Sequence, residues 1–429
     1  DTVLNANFGN SNIGIGYNVL IGVTGTGNIG IGGNVNNAAN SRNYTIGIGI
    51  NTLRYNNAHY TVAIGFQAGE NNSGGAENTF LGASTGFKNE VGTQNTYVGY
   101  QAGAYASASY NTFVGRNAGL GGTSSAPYSS GTSNTAVGMR ALAGFTTGYG
   151  NTAVGAETLD AVTEGFYNIG IGPAAGGSIT TGDHNIAMGY AAFDAATTAG
   201  YTIAIGYQVL SAYTHGENAY NIAMGIQTAY LKTSGKYNTY IGGLNVAKAD
   251  LTGEYNTYLG SYTNQYGTAT SDTTLIGYQA GTSISTADAE TSIGYQAAYS
   301  LTTGGYNSSL GHKALYYNQT GNSAVAIGPS AGYMFGRGNH TPVGSIFLGS
   351  AAGYYATGSH NVFIGYESGK GSLSGTPYGS GEHNIGMGYR TLYSFTTGDD
   401  NIAIGAYSGD AITTGTYNIA MGQYSLSSV

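Results

Sequence analysis

Asn134-Thr-Ala-Val-Gly138-Met-Arg-Ala-Leu142 is followed, 17 residues on, by Asn151-Thr-Ala-Val-Gly155-Ala-Glu-Thr-Leu159. Working outward in both directions, Ile, Leu, Val or Met stands immediately before a landmark glycine at 24 such places, from Gly16 to Gly422. Successive landmarks are 16 to 19 residues apart, except for steps of 23 before Gly138, 21 before Gly349 and 23 before Gly388. A period held from end to end marks stacked repeats, each too small to bury its apolar face alone.

The columns of the repeat follow once the landmark glycine is set at position zero. Position −1 is always aliphatic or Met, and −3 is always Ile, Val, Thr or Ser. Two mostly β-branched positions spaced by two describe one face of a strand, and their apolar character predicts that this face points inward. Position −2 falls on the other face and is in most coils either small (Ala136, Ala153) or aromatic (Phe80, Tyr97, Phe113). Position −4 is Asn in 17 of 24 coils. An amide repeated in register can bond its neighbours above and below, so Asn78, Asn95, Asn111, Asn134, Asn151, Asn168 and Asn185 are expected to form a ladder. A second, shorter strand is expected after the glycine, closed by polar turns such as Thr146-Thr147-Gly148. The fold class predicted is all-β: a parallel β-solenoid or β-roll of about 24 coils of about 17 residues, one repeat domain over residues 1–429. At about 4.8 Å per coil the stack would run about 115 Å.

Composition narrows the function. Of 429 residues only 7% are charged, net charge is −8, and cysteine is absent. That balance offers no phosphate-binding field, so nucleic acid is not an expected partner. No apolar stretch is long enough to span a bilayer as a helix, so membrane insertion is not expected. With 39 Tyr and abundant Asn and Thr, the surface is polar without being charged, which suits an extracellular setting.

The unit Asn-Thr-Ala-Val-Gly followed by Ala-Leu or Ala-Gly, as at Asn134–Leu142 and Asn95-Thr-Tyr-Val-Gly99-Tyr-Gln-Ala-Gly103, resembles the repeats of bacteriophage tail fibres. It is also similar to the head repeats of trimeric autotransporter adhesins. Both resemblances imply a left-handed parallel β-roll, three chains about one axis, and attachment to a surface. The adhesin repeat is nearer 14 residues, and the longer period here favours the phage-type relative.

Catalysis needs a convergent, non-repeating constellation, and none is legible. Paired carboxylates for a depolymerase are too sparse to nominate, the seven His have no recurrent partner for a metal, and no cofactor is expected. Thr at −3 invites an ice-binding reading, but Ile shares that column and suits an inward position better. Sequons at Asn43, Asn71, Asn307, Asn318 and Asn339 matter only where the source glycosylates. Insertions on rigid scaffolds often carry recognition. The longer segments 116–137, 207–224, 329–348 and 366–387 are therefore the candidate recognition loops, with Tyr128, Tyr333, Phe335, Arg337, His340, Lys370, Tyr378 and His383 as their candidate residues. The expected function is a non-enzymatic fibre shaft of the tail-fibre type, in a virion or secreted appendage, with itself and a cell-surface glycan or protein receptor as partners. The alternative is an adhesive filament of a microbial surface, glycan-binding or glycosylated.

Overall fold

The computed structural model describes residues 9–37, 41–216, 218–338, 341–372 and 378–427. The chain is an all-β parallel β-solenoid of about 23 turns of about 17 residues, with no helix among the described residues. It divides into two compact units, residues 1–220 and 221–429. Among the described residues, twelve strands lie in the first, from Ile13–Tyr17 to Ile203–Ile205, and twelve in the second, from Ile222–Ile226 to Ile419–Met421.

Within each unit, every strand pairs in parallel with its equivalent one coil away, residue on matching residue apart from a register shift between Met224 and Ile226 in the first pair of the second unit. Thr79 pairs with Thr96, Thr96 with Thr112, Thr112 with Thr135 and Thr135 with Thr152. In the second unit Thr239, Thr257, Thr274, Thr291 and Ser308 align in the same way. Parallel strands usually need a crossover, and here one solenoid turn supplies it.

The landmark glycine is required twice over. Gly99 has φ +131°, and a Cβ there would lie 2.5 Å from the carbonyl oxygen of Gly115, the landmark one coil on. Only glycine adopts that conformation and also permits that approach.

Which strand face is inside differs from the sequence expectation. Position −2 is the buried one: Phe80, Tyr97, Phe113, Ala136 and Ala153 are all 0% exposed. Positions −1 and −3 point out, with Ile64 40% and Val137 and Val154 each 37% exposed. The reason is volume. Across the narrow lumen, position −2 meets position +4, and the two trade size. Phe80, Tyr97 and Phe113 sit against Gly86, Gly103 and Gly119, where an added Cβ would lie within 2.5 Å of the ring. Ala136 and Ala153 instead accompany the buried Leu142 and Leu159. Large against small fills a core one side chain wide at close-packed density.

The expected second strand is also corrected. After the glycine the backbone turns, with left-handed residues at +2 and +4 such as Arg140 (φ 57°) and Leu142 (φ 51°). Its N–H groups still bond the next coil, as Leu142 N does to Thr158 O at 3.0 Å. Ordered stacking therefore continues without a β conformation.

The asparagines bond between coils. Asn151 donates its backbone N–H to Asn134 Oδ1 at 2.9 Å, and its Nδ2 to the same oxygen at 3.1 Å and to Gly165 O at 2.9 Å. The same backbone-to-Oδ1 bond links Asn95 to Asn78, Asn111 to Asn95, Asn134 to Asn111, Asn168 to Asn151 and Asn185 to Asn168. All seven are buried, so the ladder satisfies polar groups at the corner where the chain enters the strand.

Candidate recognition surface

Two surfaces stand out, and the first is the outward strand face. In the first unit it carries Thr79, Thr96, Thr112, Thr135 and Thr152 beside Leu81, Val98, Val114, Val137 and Val154, and then Ile169, Ile171, Ile186 and Met188. In the second unit Ile241, Leu259, Leu310, Ile327 and Met387 are exposed in the same column. Parallel in-register pairing sets these side chains about 4.8 Å apart, so they form continuous aliphatic stripes rather than scattered residues.

The second surface is a tyrosine column in the second unit. Tyr299, Tyr316, Tyr333 and Tyr354 all occupy position +5 and stack face to face, with centroids 5.1, 5.3 and 4.6 Å apart. Tyr317 lies edge-on to Tyr316 and Tyr333 at 4.8 and 5.2 Å, and Tyr355 edge-on to Tyr354 at 4.6 Å. Tyr378 extends the patch, stacking on Tyr355 at 6.4 Å. Stacked and edge-on rings of this geometry stabilise one another beyond their burial.

Cations decorate this patch. Arg337 stands 5.1 Å from the Tyr317 ring and 5.6 Å from that of Tyr378, and its Nη1 donates to Tyr378 Oη at 3.0 Å. Lys370 Nζ bonds Glu367 Oε1 at 2.5 Å and Tyr393 Oη at 3.3 Å, while Arg390 Nε bonds Glu367 Oε2 at 2.7 Å. Burial alone would raise the Glu367 carboxyl, but the hydrogen bonds from Lys370 and Arg390 outweigh it and hold the group below its ordinary range. Burial pushes the Tyr333 hydroxyl well up, reinforced by the neighbouring tyrosines, so it remains a neutral donor at physiological pH.

Of the residues singled out in the sequence, Tyr333, Arg337, Lys370 and Tyr378 come together here. Phe335 does not: it is fully buried and packs edge-on to Phe347 at 5.4 Å, so it is a core residue and not a recognition residue. His383 is exposed in the −5 column, stacked on His360 at 5.1 Å. Tyr128 belongs to the first unit, with Lys88 Nζ 5.9 Å from its ring. His340 lies outside the described residues, as does the sequon at Asn339. Asn307 and Asn318 are buried and bonded to Gly321 O, so neither sequon is open to a glycan. Loop length alone missed Tyr316, Tyr317, Tyr354, Tyr355, Tyr393 and Arg390. For Tyr316, Tyr354 and Tyr393 the signal was the recurrence of Tyr at position +5, whereas Tyr317 and Tyr355 at +6 and Arg390 at +2 had none in that column.

Among the described residues, no group of three or more His, Asp or Glu converges in a way that could hold a metal ion, and no helix is long and apolar enough to cross a membrane. Compared with protein-family models, curated proteins and solved structures, the chain matches none.

Proposed function

We propose that this chain is a non-enzymatic fibre shaft of the phage tail-fibre type, assembled from three copies, that extends and supports attachment to a cell surface. The observation that carries the reading is the outward aliphatic face. Continuous apolar stripes of this kind are rare on monomers and typical of obligate homo-oligomer interfaces. Copies related by rotation about an axis parallel to the stripes would bury them against one another in a closed assembly. The number three comes from the resemblance of the repeat to tail-fibre and adhesin units. The tyrosine–cation patch lies on a different column, which leaves it free to meet a receptor.

Immunogold labelling of the producing culture with antibody against this chain tests the reading. Label on appendages of virus particles is expected. Label on cell-surface filaments without capsids would favour the adhesive-filament reading instead, and label confined to the cytoplasm would overturn both.

The Thr79–Thr152 column favours one further reading, ice binding, because it faces outward. Regular hydroxyl and methyl rows could order water if the face is free. Thermal hysteresis in the purified protein would support this, and its absence would remove it.

A further inference from the structure

The tyrosine column runs through Tyr299, Tyr316, Tyr333 and Tyr354 and then breaks, because the next coil carries Lys370-Gly371 at the matching positions. Tyrosine returns at Tyr393. Beside the break lies an open cleft of about 250 Å³, lined by Tyr355, Lys370, Gly371, Ser372, Tyr393 and Ser394. Lys370 and Arg390 both stand 5.1 Å from the Tyr393 ring, held there by Glu367. Lys313 sits 5.3 Å from Tyr316, and Arg337 lies between Tyr317 and Tyr378. Four cations, of only 12 in a chain of net charge −8, thus gather on one connected aromatic patch, with Glu367 the carboxylate bonded among them.

We propose that this cleft binds an anionic saccharide, one pyranose ring seated in the cleft that Tyr355 and Tyr393 line, with its acidic group turned toward Lys370 and Arg390. The inference rests on the attachment reading and names the ligand class for the same patch. Tyrosine offers an apolar ring to sugar C–H faces and a hydroxyl to the sugar rim, and Ser372 and Ser394 add hydroxyls at the cleft wall. The surplus of positive charge draws an acidic ligand to a protein that is otherwise acidic.

Single-stranded nucleic acid also stacks on aromatics in basic grooves, but it needs free cations to follow successive phosphates, and here Lys370 and Arg390 share the Glu367 carboxylate.

Titration of the full-length chain with oligogalacturonate, chondroitin sulfate oligosaccharides and neutral maltohexaose, followed by saturation-transfer NMR, tests the proposal. At least one of the two acidic probes should bind with a dissociation constant of about 1 mM or tighter, and maltohexaose at least about tenfold more weakly. Which acidic probe wins separates a carboxylate from a sulfate ligand. Tyr393→Ala, which removes a wall, and Ser394→Tyr, which fills the cleft, should each weaken binding at least about tenfold, while Tyr100→Ala in the first unit should not. Lys370→Met replaces either variant if its circular dichroism shows misfolding. Equal binding of neutral and acidic probes, unchanged affinity in both cleft variants, or no binding by any probe would overturn the proposal. Oligomer mass keeps the two readings apart. A trimer that binds no saccharide contradicts the cleft alone, and a saccharide-binding monomer contradicts the fibre alone.

Discussion

Glu290 Oε2 accepts the backbone N–H of Asn307 at 3.1 Å, the place that an asparagine Oδ1 holds between Asn134 and Asn151. It also accepts from Asn307 Nδ2 at 3.2 Å, and its other oxygen accepts from the Ser292 hydroxyl at 3.2 Å. A carboxyl has thus replaced an amide inside the buried ladder. Desolvation raises it to about 8, only partly opposed by the bonds from Asn307 and Ser292.

The pH dependence follows. Between its ordinary value of 4.5 and about 8, the folded chain holds a proton that the unfolded chain releases, so stability falls as pH rises through that window. The full effect is on the order of 5 kcal/mol. Glu290→Gln keeps an acceptor for Asn307 and removes the titration. Its thermal midpoint should exceed that of the natural chain at pH 8 and match it at pH 4. A variant less stable at pH 8 would contradict this account of the site.

The landmark glycines should be far less tolerant than their neighbours in turns. Gly99→Ala places Cβ 2.5 Å from the Gly115 carbonyl at φ +131°, and should cost about 3 kcal/mol or more in denaturant unfolding. Gly74→Ala meets nothing closer than 3.5 Å and has no positive φ, so it should stay within about 0.5 kcal/mol of the natural chain. Equal costs would show that stacking contact does not explain the period.

Asn151→Ala removes two donated bonds and leaves Asn168 N–H without its acceptor, for an expected loss of about 2–4 kcal/mol. Asn151→Ser should lose less, because Ser345 Oγ already serves as the acceptor for Asn361 N–H at 3.1 Å. Chemical denaturation of both variants checks the order, and a serine variant as unstable as the alanine one would contradict it.

The period, the strands and the parallel stacking were legible because one coil repeats the next, and in-register pairing turns a sequence column into a spatial one. The inward face was not read correctly, since β-branched residues at −1 and −3 suggested burial by composition alone. Yet the exchange of Phe113 with Gly119 for Ala136 with Leu142 was present in the sequence, and volume compensation of that kind only makes sense across a core. Phe335 misled for a related reason: it lies in a long segment, but the ring fills the lumen beside Phe347. The buried Lys232–Asp250 pair, 3.4 Å apart, has no local signature, because its partners come from adjacent coils 18 residues apart. Recognition residues chosen by loop length found Tyr333, Arg337, Lys370 and Tyr378, while Tyr316, Tyr354 and Tyr393 followed the repeat itself.

Sedimentation equilibrium on the purified chain tests the central claim, that the outward aliphatic face is an interface between copies. The natural chain should sediment at three times the 43.7 kDa of one copy. The double variant Val137→Asp and Val154→Asp should dissociate at least tenfold more readily while keeping its β circular dichroism, since both side chains point away from the core. A natural chain that remains monomeric at micromolar concentration would contradict the claim.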